Sequence, residues 1–417
     1  MEKSIIKNFT SKILRLLKKT PVYELKDVFT PTSSANISYI SRTSVEKKLK
    51  KALDIPGKQI VIYGHSGSGK TTILNHIVKE QCLKTITSRC TNNSTIDTII
   101  LDAFDSLNQY YTESTNISHK ESLTGSITSE YLGIKSSITG TLENNVGEIQ
   151  KRVLPPQLTI QRLCDFIGST KALWIIEDFH KIPESEKSKI SQMMKLFMDK
   201  AVDYPNSKII VLGAANNGYE VVQHDTELNN RVSEIEVPLL TTAEIVKIVE
   251  KGATALNISI STETATEIAK YANCLATIAH QLAYNLCFNN NISKTQRKSV
   301  IIPNSELDQA VKDFTSEKQD TYKKLYMKIT QQREGKYQNV SIILSTLCEM
   351  NDNVTQHALL TKIQENFPSY PPSNLSTYLK QLYSPEREEV LRNNAGRISF
   401  SEPFFKSYIR MLNVQQP

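Results

Sequence analysis

The run Gly64-His65-Ser66-Gly67-Ser68-Gly69-Lys70-Thr71 follows the apolar stretch Gln59-Ile60-Val61-Ile62-Tyr63 and precedes the periodic segment Thr72-Ile73-Leu74-Asn75-His76-Ile77-Val78. A strand that ends in a glycine-rich turn and opens directly into a helix constrains the fold more than any other segment, because that order belongs to β/α units whose strands lie parallel. The glycines let successive backbone N–H groups point inward, and the following helix presents its positive N-terminal end to the same spot. The result is a cradle for the phosphates of a nucleoside triphosphate. Lys70 supplies a cation for the phosphates and Thr71 a hydroxyl for Mg²⁺. Gly64, His65, Ser66, Gly67, Ser68, Gly69, Lys70, Thr71 and Thr72 form the expected nucleotide-binding set. A glycine-rich turn without a phosphate role has no need of this lysine and hydroxyl between a strand and a helix.

At 417 residues the chain has material for two or three domains with sizeable cores. No segment approaches the run of about 20 apolar residues that a membrane span needs, and the N-terminus lacks the continuous apolar core of a secretory signal, so a cytoplasmic protein is expected. Cys82, Cys90, Cys164, Cys274, Cys287 and Cys348 show no C-x-x-C pairing and no histidine at metal spacing. They read as reduced thiols, mostly in cores, rather than a zinc site or a disulfide framework.

The net charge of +7 is unevenly placed. Residues 1–60 hold 11 Lys and 2 Arg against 5 acidic residues, so the rest of the chain is close to neutral. Within this basic stretch Ile6, Phe9, Ile13, Leu16 and Leu17 recur at helical spacing, with Lys3, Lys7, Lys12, Arg15, Lys18 and Lys19 largely off that stripe. A basic amphipathic helix suits a membrane surface, nucleic acid or a partner protein, and equally suits packing on its own domain with a solvated lysine face.

After a linker through Phe29-Thr30-Pro31-Thr32, a helix is predicted from near Ser44, with Val45, Leu49 and Leu53 on one face and Pro56-Gly57 as its stop. Thr85 to Cys90 reads as a strand, and Ser94 as the cap of a helix carrying Ile96, Ile99, Ile100, Phe104 and Leu107. Residues 109–152 interrupt this rhythm with Ser, Thr, Gly and Asn and weak alternation at Ile134, Ile138 and Leu142, as an inserted hairpin or loop would. The alternation resumes with strand Ala172 to Asp178, a helix over about Glu184 to Asp203 and strand Lys208 to Gly213. From Thr241 the chain reads helical through Phe288, and a polar break, Asn289 to Pro303, leads to a final domain. There, three helices, a hairpin turning near Asn393-Asn394-Ala395-Gly396 and a closing helix capped by Ser401 suggest a winged helix. Its helix Ser373 to Tyr383 offers Asn374, Ser376, Thr377, Lys380 and Gln381 to a partner, although Glu386, Glu388 and Glu389 adjoin it and would repel phosphate.

Hydrolysis of MgATP calls for carboxylates at the end of a buried strand opposite the cradle, one for the metal and one for the attacking water. Glu177-Asp178 meets that need, with Glu177 assigned to the metal side, Asp178 to the water side, and the reverse split also compatible with the chemistry. Strand Lys208 to Gly213 runs into Ala214-Ala215-Asn216-Asn217, where Asn216 or Asn217 could sense a γ-phosphate or simply make the turn. Arg231 fits either an arginine finger offered to a neighbouring subunit or a surface ion pair.

Together these segments resemble the AAA+ and STAND branch of P-loop ATPases, in particular the origin-recognition-like group. The carriers are Arg42, Gly64 to Thr71, Trp174 to Phe179, Lys208 to Asn217, Arg231 through Ile245, and Arg397 to Phe405. The resemblance spans roughly Phe29 to Leu412. It implies an α/β fold, a P-loop parallel sheet with helices on both faces, followed by an α-helical lid and a winged-helix domain. The expected boundaries are 1–28 for the basic helix and linker, 29–238 for the ATPase core, 239–300 for the lid and 301–417 for the winged helix. It also implies ATP and Mg²⁺ as cofactors, Arg42 near the nucleotide, and a homo-oligomer favoured by ATP. The role it suggests is a molecular switch acting on a separately encoded effector in prokaryotic antiviral defence, the alternative being a DNA-binding ATPase of initiator or transposition-regulator type. Where many relatives carry Gly-x-Pro in the lid, this chain reads Cys274-Leu275-Ala276, which points to slow turnover. A small-molecule kinase would also carry a P-loop, but this chain spends its length on a lid and a winged helix instead of an acceptor pocket.

Overall fold

The structure is a computed structural model that describes residues 21–107, 110–116, 147–152, 159–214, 230–331, 336–350 and 352–415. The basic N-terminal stripe, the centre of the insert with Ile134, Ile138 and Leu142, and Asn216 and Asn217 lie outside the described residues. Contacts divide the chain into two units, residues 41–239 and residues 1–40 together with 240–417.

In chain order the first elements are α1 (Leu25–Val28), α2 (Thr43–Asp54), β1 (Gln59–Tyr63), α3 (Lys70–Glu80), β2 (Lys84–Arg89), α4 (Ile96–Ser106), β3 (Tyr110–Asn116) and β4 (Gly147–Arg152). They are followed by α5 (Ile160–Thr170), β5 (Ala172–Glu177), α6 (Glu184–Asp199), β6 (Lys208–Gly213) and β7 (Val232–Glu236). Five strands form one sheet in the order β2-β5-β6-β1-β7, every pairing parallel. Because such a sheet is covered on both faces, its central strands are apolar without alternation. β6 is buried at every position and β5 at all but its last. Val61, Trp174, Ile176, Ile209 and Val211 meet α4, α5 and α6 on one face, where the Trp174 indole donates to Ser88 Oγ at 3.1 Å. α2 and α3 cover the other face.

β3 and β4 pair antiparallel, so the insert begins and ends as the two arms of a ladder. The cap of α4 is Thr95, not Ser94. Thr95 and Thr98 bond each other's backbone N–H reciprocally, while Ser94 Oγ accepts from Thr91 N at 2.7 Å and shapes the preceding turn.

The other unit contains α7 (Thr242–Leu256), β8 (Ile258–Ser259), α8 (Thr262–Ala272), α9 (Ala276–Asn289), β9 (Val300–Ile301), α10 (Glu306–Glu317) and α11 (Lys324–Thr330). It continues with α12 (Asn339–Glu349), β10 (Val354–Thr355), α13 (Gln356–Asn366), α14 (Pro372–Leu382), β11 (Leu391–Asn394), β12 (Arg397–Phe400) and α15 (Pro403–Gln415). α7 to α10 pack on one another as a helical bundle that begins where the sequence places the lid, and are called the lid below. The sequence boundaries at Phe29 and residue 301 fall inside this unit instead of between units. The Phe29 ring lies so close to Gly252 that a Cβ there would come within 2.3 Å of it. Thr30 N donates to His280 Nδ1 at 3.0 Å, and Lys251 Nζ reaches Tyr39 O at 2.7 Å. α10 joins the lid through Asn285 and Asn289, which donate to Ala310 O and Asp313. The polar stretch between α9 and α10 is tied down by Thr295 and Gln296 on Tyr23 O and Leu256 O and by the parallel β8–β9 pair.

In the C-terminal module α12, α13 and α14 enclose Val340, Leu344, Leu359, Ile363, Leu375 and Leu379 beside an antiparallel sheet of order β10-β12-β11. Ala395 and Gly396, both at positive φ, make the two-residue turn between β11 and β12. Ser401 does not cap α15, which starts at Pro403. Its hydroxyl donates to Glu389 O and its N–H to Val390 O, closing the base of the hairpin.

Candidate phosphate-binding and catalytic site

β1 delivers the chain to the carboxyl edge of the sheet and α3 carries it away, so the eight residues from Gly64 to Thr71 form the rim of that edge. Gly64 sits at φ +142°, and a Cβ there would meet the Val237 carbonyl oxygen at 2.3 Å, so only glycine lets β7's exit pass so close. Gly69, at φ +90°, caps α3, and a Cβ placed on it would meet nothing within 4 Å. The space it faces is an open cradle at a helix N-terminus, as an anion requires. Ser68 is buried with an unpartnered hydroxyl. His65, Ser66 and Thr71 are exposed, and Gly67 and Thr72 half-buried.

Lys70 Nζ donates to Gly64 O at 2.9 Å and His65 O at 2.7 Å, curled over the loop it serves. Burial lowers its pKa to about 8, against an opposing pull from the Asp178 carboxylate. The loop after β1 and the carboxylates after β5 lie at the same carboxyl edge of the sheet, with β6 between the two strands. Glu177 ends β5 and Asp178 follows in left-handed backbone at φ 59°. Glu177 Oε2 accepts from Arg89 Nε at 3.2 Å, and Asp178 Oδ2 from Lys181 Nζ at 2.8 Å. His180 Nδ1 accepts the N–H of Ala214 at 3.1 Å and so holds the end of β6, which lies between β1 and β5.

Arg42 reaches the loop from its backbone side. Its Nη1 donates to Ser68 O at 3.2 Å and its Nη2 to Leu239 O at 3.5 Å, while Glu46 accepts from its backbone N–H. It therefore positions the cradle. Arg231 precedes β7 at the amino end of the parallel strands, whereas the cradle is at their carboxyl end. Its guanidinium is exposed and lies 3.5 Å from Asp199, so within one chain it is not brought to the site. Arg89 and Lys181 escaped sequence reasoning. Arg89 pairs with Glu177 in the β2–β5 register, 88 residues apart, and no local pattern marks it. Lys181, three residues after Asp178, sat in plain view as an i,i+3 partner.

In the lid the turn between α8 and α9 puts Asn273 and Cys274 at φ 46° and 66°. Left-handed backbone is a conformation that glycine adopts without strain, and Cys274 holds it with a side chain in place. Of the five polar residues expected to face a partner from α14, Asn374 is taken up by Asn339 and Ser376 by Gln356 and Pro372 O. Thr377 and Lys380 are exposed, and the side-chain amide oxygen Oε1 of Gln381 is buried without a hydrogen-bond partner. Among the described residues no cluster of three His, Cys, Asp or Glu side chains could hold a metal, and no helix is long and apolar enough to cross a membrane.

A five-stranded parallel sheet flanked by helices, with a P-loop after β1 and carboxylates after β5, has the fold of a P-loop ATPase. The Walker-type ATPase PABY2304 of Pyrococcus abyssi superposes with a TM-score of 0.51 at 12% identity, over 89% of this chain and 96% of that one. Cdc6p from Pyrobaculum aerophilum gives 0.45 at 15% identity over 95% and 100%, and the ORC2 protein of Aeropyrum pernix 0.47 at 11% over 95% and 99%. No family model matches the sequence, and no curated protein does.

Proposed function

We propose that this protein binds and slowly hydrolyses ATP as an AAA+/STAND-type molecular switch. In the ATP state it assembles with copies of itself and signals to a separately encoded effector, in a setting of prokaryotic antiviral defence. The observation that carries the reading is a glycine loop between β1 and α3, braced by Arg42, at the same carboxyl edge of the parallel sheet where β5 ends in Glu177 and Asp178. The open side of Gly69, the buried hydroxyl of Ser68 and the helix N-terminus fit a triphosphate. Thr71 with Glu177 would hold Mg²⁺, which when bound supplies charge neutralisation at the phosphates. In this reading Lys70 exchanges its two loop carbonyls for phosphate oxygens, Asp178 orients and deprotonates the attacking water, and Arg89 and Lys181 set how free the two carboxylates are. Arg231 is exposed enough to serve a neighbouring copy, and Asn216 is the candidate phosphate sensor after β6.

The second reading, a DNA-binding ATPase of initiator or transposition-regulator type, draws on the C-terminal module. Its helix, short strand, two helices and hairpin follow winged-helix order, with Thr377 and Lys380 exposed on α14. The internal ties of Asn374 and Ser376 and the acidic run at Glu386, Glu388 and Glu389 favour a protein partner on this surface.

Native mass spectrometry of the wild type and of the Glu177→Gln/Asp178→Asn variant, with MgATP and with or without duplex DNA, separates the readings. Assembly driven by MgATP alone supports the signalling switch. Assembly only on DNA, lost at higher salt, moves the winged helix to the centre. No binding of MgATP would overturn both.

A further inference from the structure

The closing helix α15 does more than complete the C-terminal module. Arg410 donates through Nε, at 2.9 Å, and through Nη2 to Cys348 O in the last turn of α12, and through Nη1 to Lys270 O in the last turn of α8. One guanidinium thus bridges the C-terminal ends of two helices, one from the module and one from the lid. Both ends carry orphan carbonyls and negative partial charge, and a rigid planar cation with several donors can serve both at once. One turn earlier the buried Ser407 shares its hydroxyl between Pro403 O and Ala272 O, the last carbonyl of α8. One residue before that, the Lys406 ammonium is held inside by Met350 O at 2.9 Å and Asp352 at 2.8 Å, while Cys348 Sγ donates to Lys406 O. Ala272 is followed immediately by Asn273 and Cys274, the left-handed turn that launches α9, and Cys274 O accepts from Leu240 N at 3.1 Å where the chain enters the lid.

We propose that Arg410 and Ser407 clamp the lid turn at 272–275 to the C-terminal module, so that the two move as one lever and any change of state at that turn reaches α14 and the hairpin. Two left-handed residues in a row, with side chains, make a turn of low intrinsic stability, and it is held by partners on α15 and at Leu240 and not by its own preference. Such an element has few arrangements to choose from, and a contact at either side biases it. That the input is nucleotide rests on the ATP-switch reading; the clamp itself does not. By linkage, a partner docked on the C-terminal module must then change nucleotide affinity by the same factor by which nucleotide changes partner affinity.

Hydrogen–deuterium exchange on the full chain tests this in two arms. Without nucleotide, Arg410→Ala is expected to speed exchange by about fivefold or more in peptides spanning both 268–276 and 343–350, with β1 and β6 unchanged. Arg410→Lys, which keeps the charge but cannot reach both helix ends, should give an intermediate increase, and Ser407→Ala should act mainly on 268–276. With MgATP, wild-type peptides 268–276 and 372–412 should change protection together, and Arg410→Ala should confine the change to 268–276. An Arg410→Ala variant that leaves either 268–276 or 343–350 exchanging at the wild-type rate without nucleotide would overturn the clamp. Wild-type MgATP binding that alters 268–276 and leaves 372–412 unmoved would overturn the lever. If MgATP does not bind at all, the ATP reading fails together with the lever's input, and the arm without nucleotide still decides the clamp.

Discussion

Two turns in this molecule perform the same geometric task in opposite ways. The P-loop and the α8–α9 turn each reverse the backbone through left-handed conformations and open into a helix. The P-loop does so with glycines, at φ +142° for Gly64 and +90° for Gly69, and leaves the space beside Gly69 open. The lid turn uses Asn273 and Cys274, keeps both side chains, gives its Cys274 carbonyl to Leu240 N and is roofed by Ser407. A turn built to receive a ligand sheds side chains. A turn built to transmit force keeps them and accepts the strain.

The comparison is broken most severely by removing the P-loop charge. Lys70→Ala should lower MgATP affinity or turnover at least about 100-fold without unfolding the sheet, read by calorimetry and phosphate release. Glu177→Gln/Asp178→Asn should cut turnover at least about 100-fold while leaving affinity in place. Gly64→Ala meets a backbone oxygen as well as unfavourable φ, and should cost about 2–4 kcal/mol of stability in chemical denaturation. Gly69→Ala, facing open space, should cost only about 1–2 kcal/mol yet impair nucleotide affinity more than its stability cost suggests. In the lid the sign reverses, and Cys274→Gly should stabilise by about 1 kcal/mol, because it relieves a strained residue where nothing needs to be left open.

The pH dependence of nucleotide binding is a gentler probe. With its pKa lowered to about 8, Lys70 is charged below that pH and neutral above it, so affinity should fall as pH rises through about 8. Over the window from about 8 to the lysine's ordinary 10.5 the unfolded chain binds more protons than the folded one, so the same group makes nucleotide-free stability rise with pH. Smallest of all, Arg89→Ala removes an exposed partner of Glu177 and should raise turnover roughly two- to fivefold, the scale of a surface ion pair.

What the sequence made legible was local. The P-loop, the apolar strands β5 and β6 and the carboxylates after β5 announce themselves within windows of ten residues, because glycines, apolar runs and terminal charges act on near neighbours. Arg89 is invisible to such windows, since only the parallel register of β2 on β5 places it beside Glu177. Ser94 and Thr95 are both good caps by type, and the choice fell to the residue with Thr98 three places on. Ser401 is equally suited to capping and was drawn instead to the strand pair beside it. The stretch 289–303 reads as a linker because it is polar, yet its amides and hydroxyls are engaged by carbonyls at Tyr23 and Leu256 that sequence proximity does not reveal. Arg42, expected to bind nucleotide, donates to Ser68 O, a contact decided by the tertiary path of α2.

The packing of Phe29 against Gly252 carries a consequence for biosynthesis. The strap that ends at Ile40 leaves the ribosome early, but the helices that receive it follow roughly two hundred residues later, after the entire sheet. At about 5–20 residues per second that is a wait of about 10–40 s, during which Leu25, Val28 and Phe29, all buried in the finished protein, have no native partner. The sheet unit can close on itself in that interval, so the nascent chain carries a finished nucleotide cradle ahead of an unfinished lid.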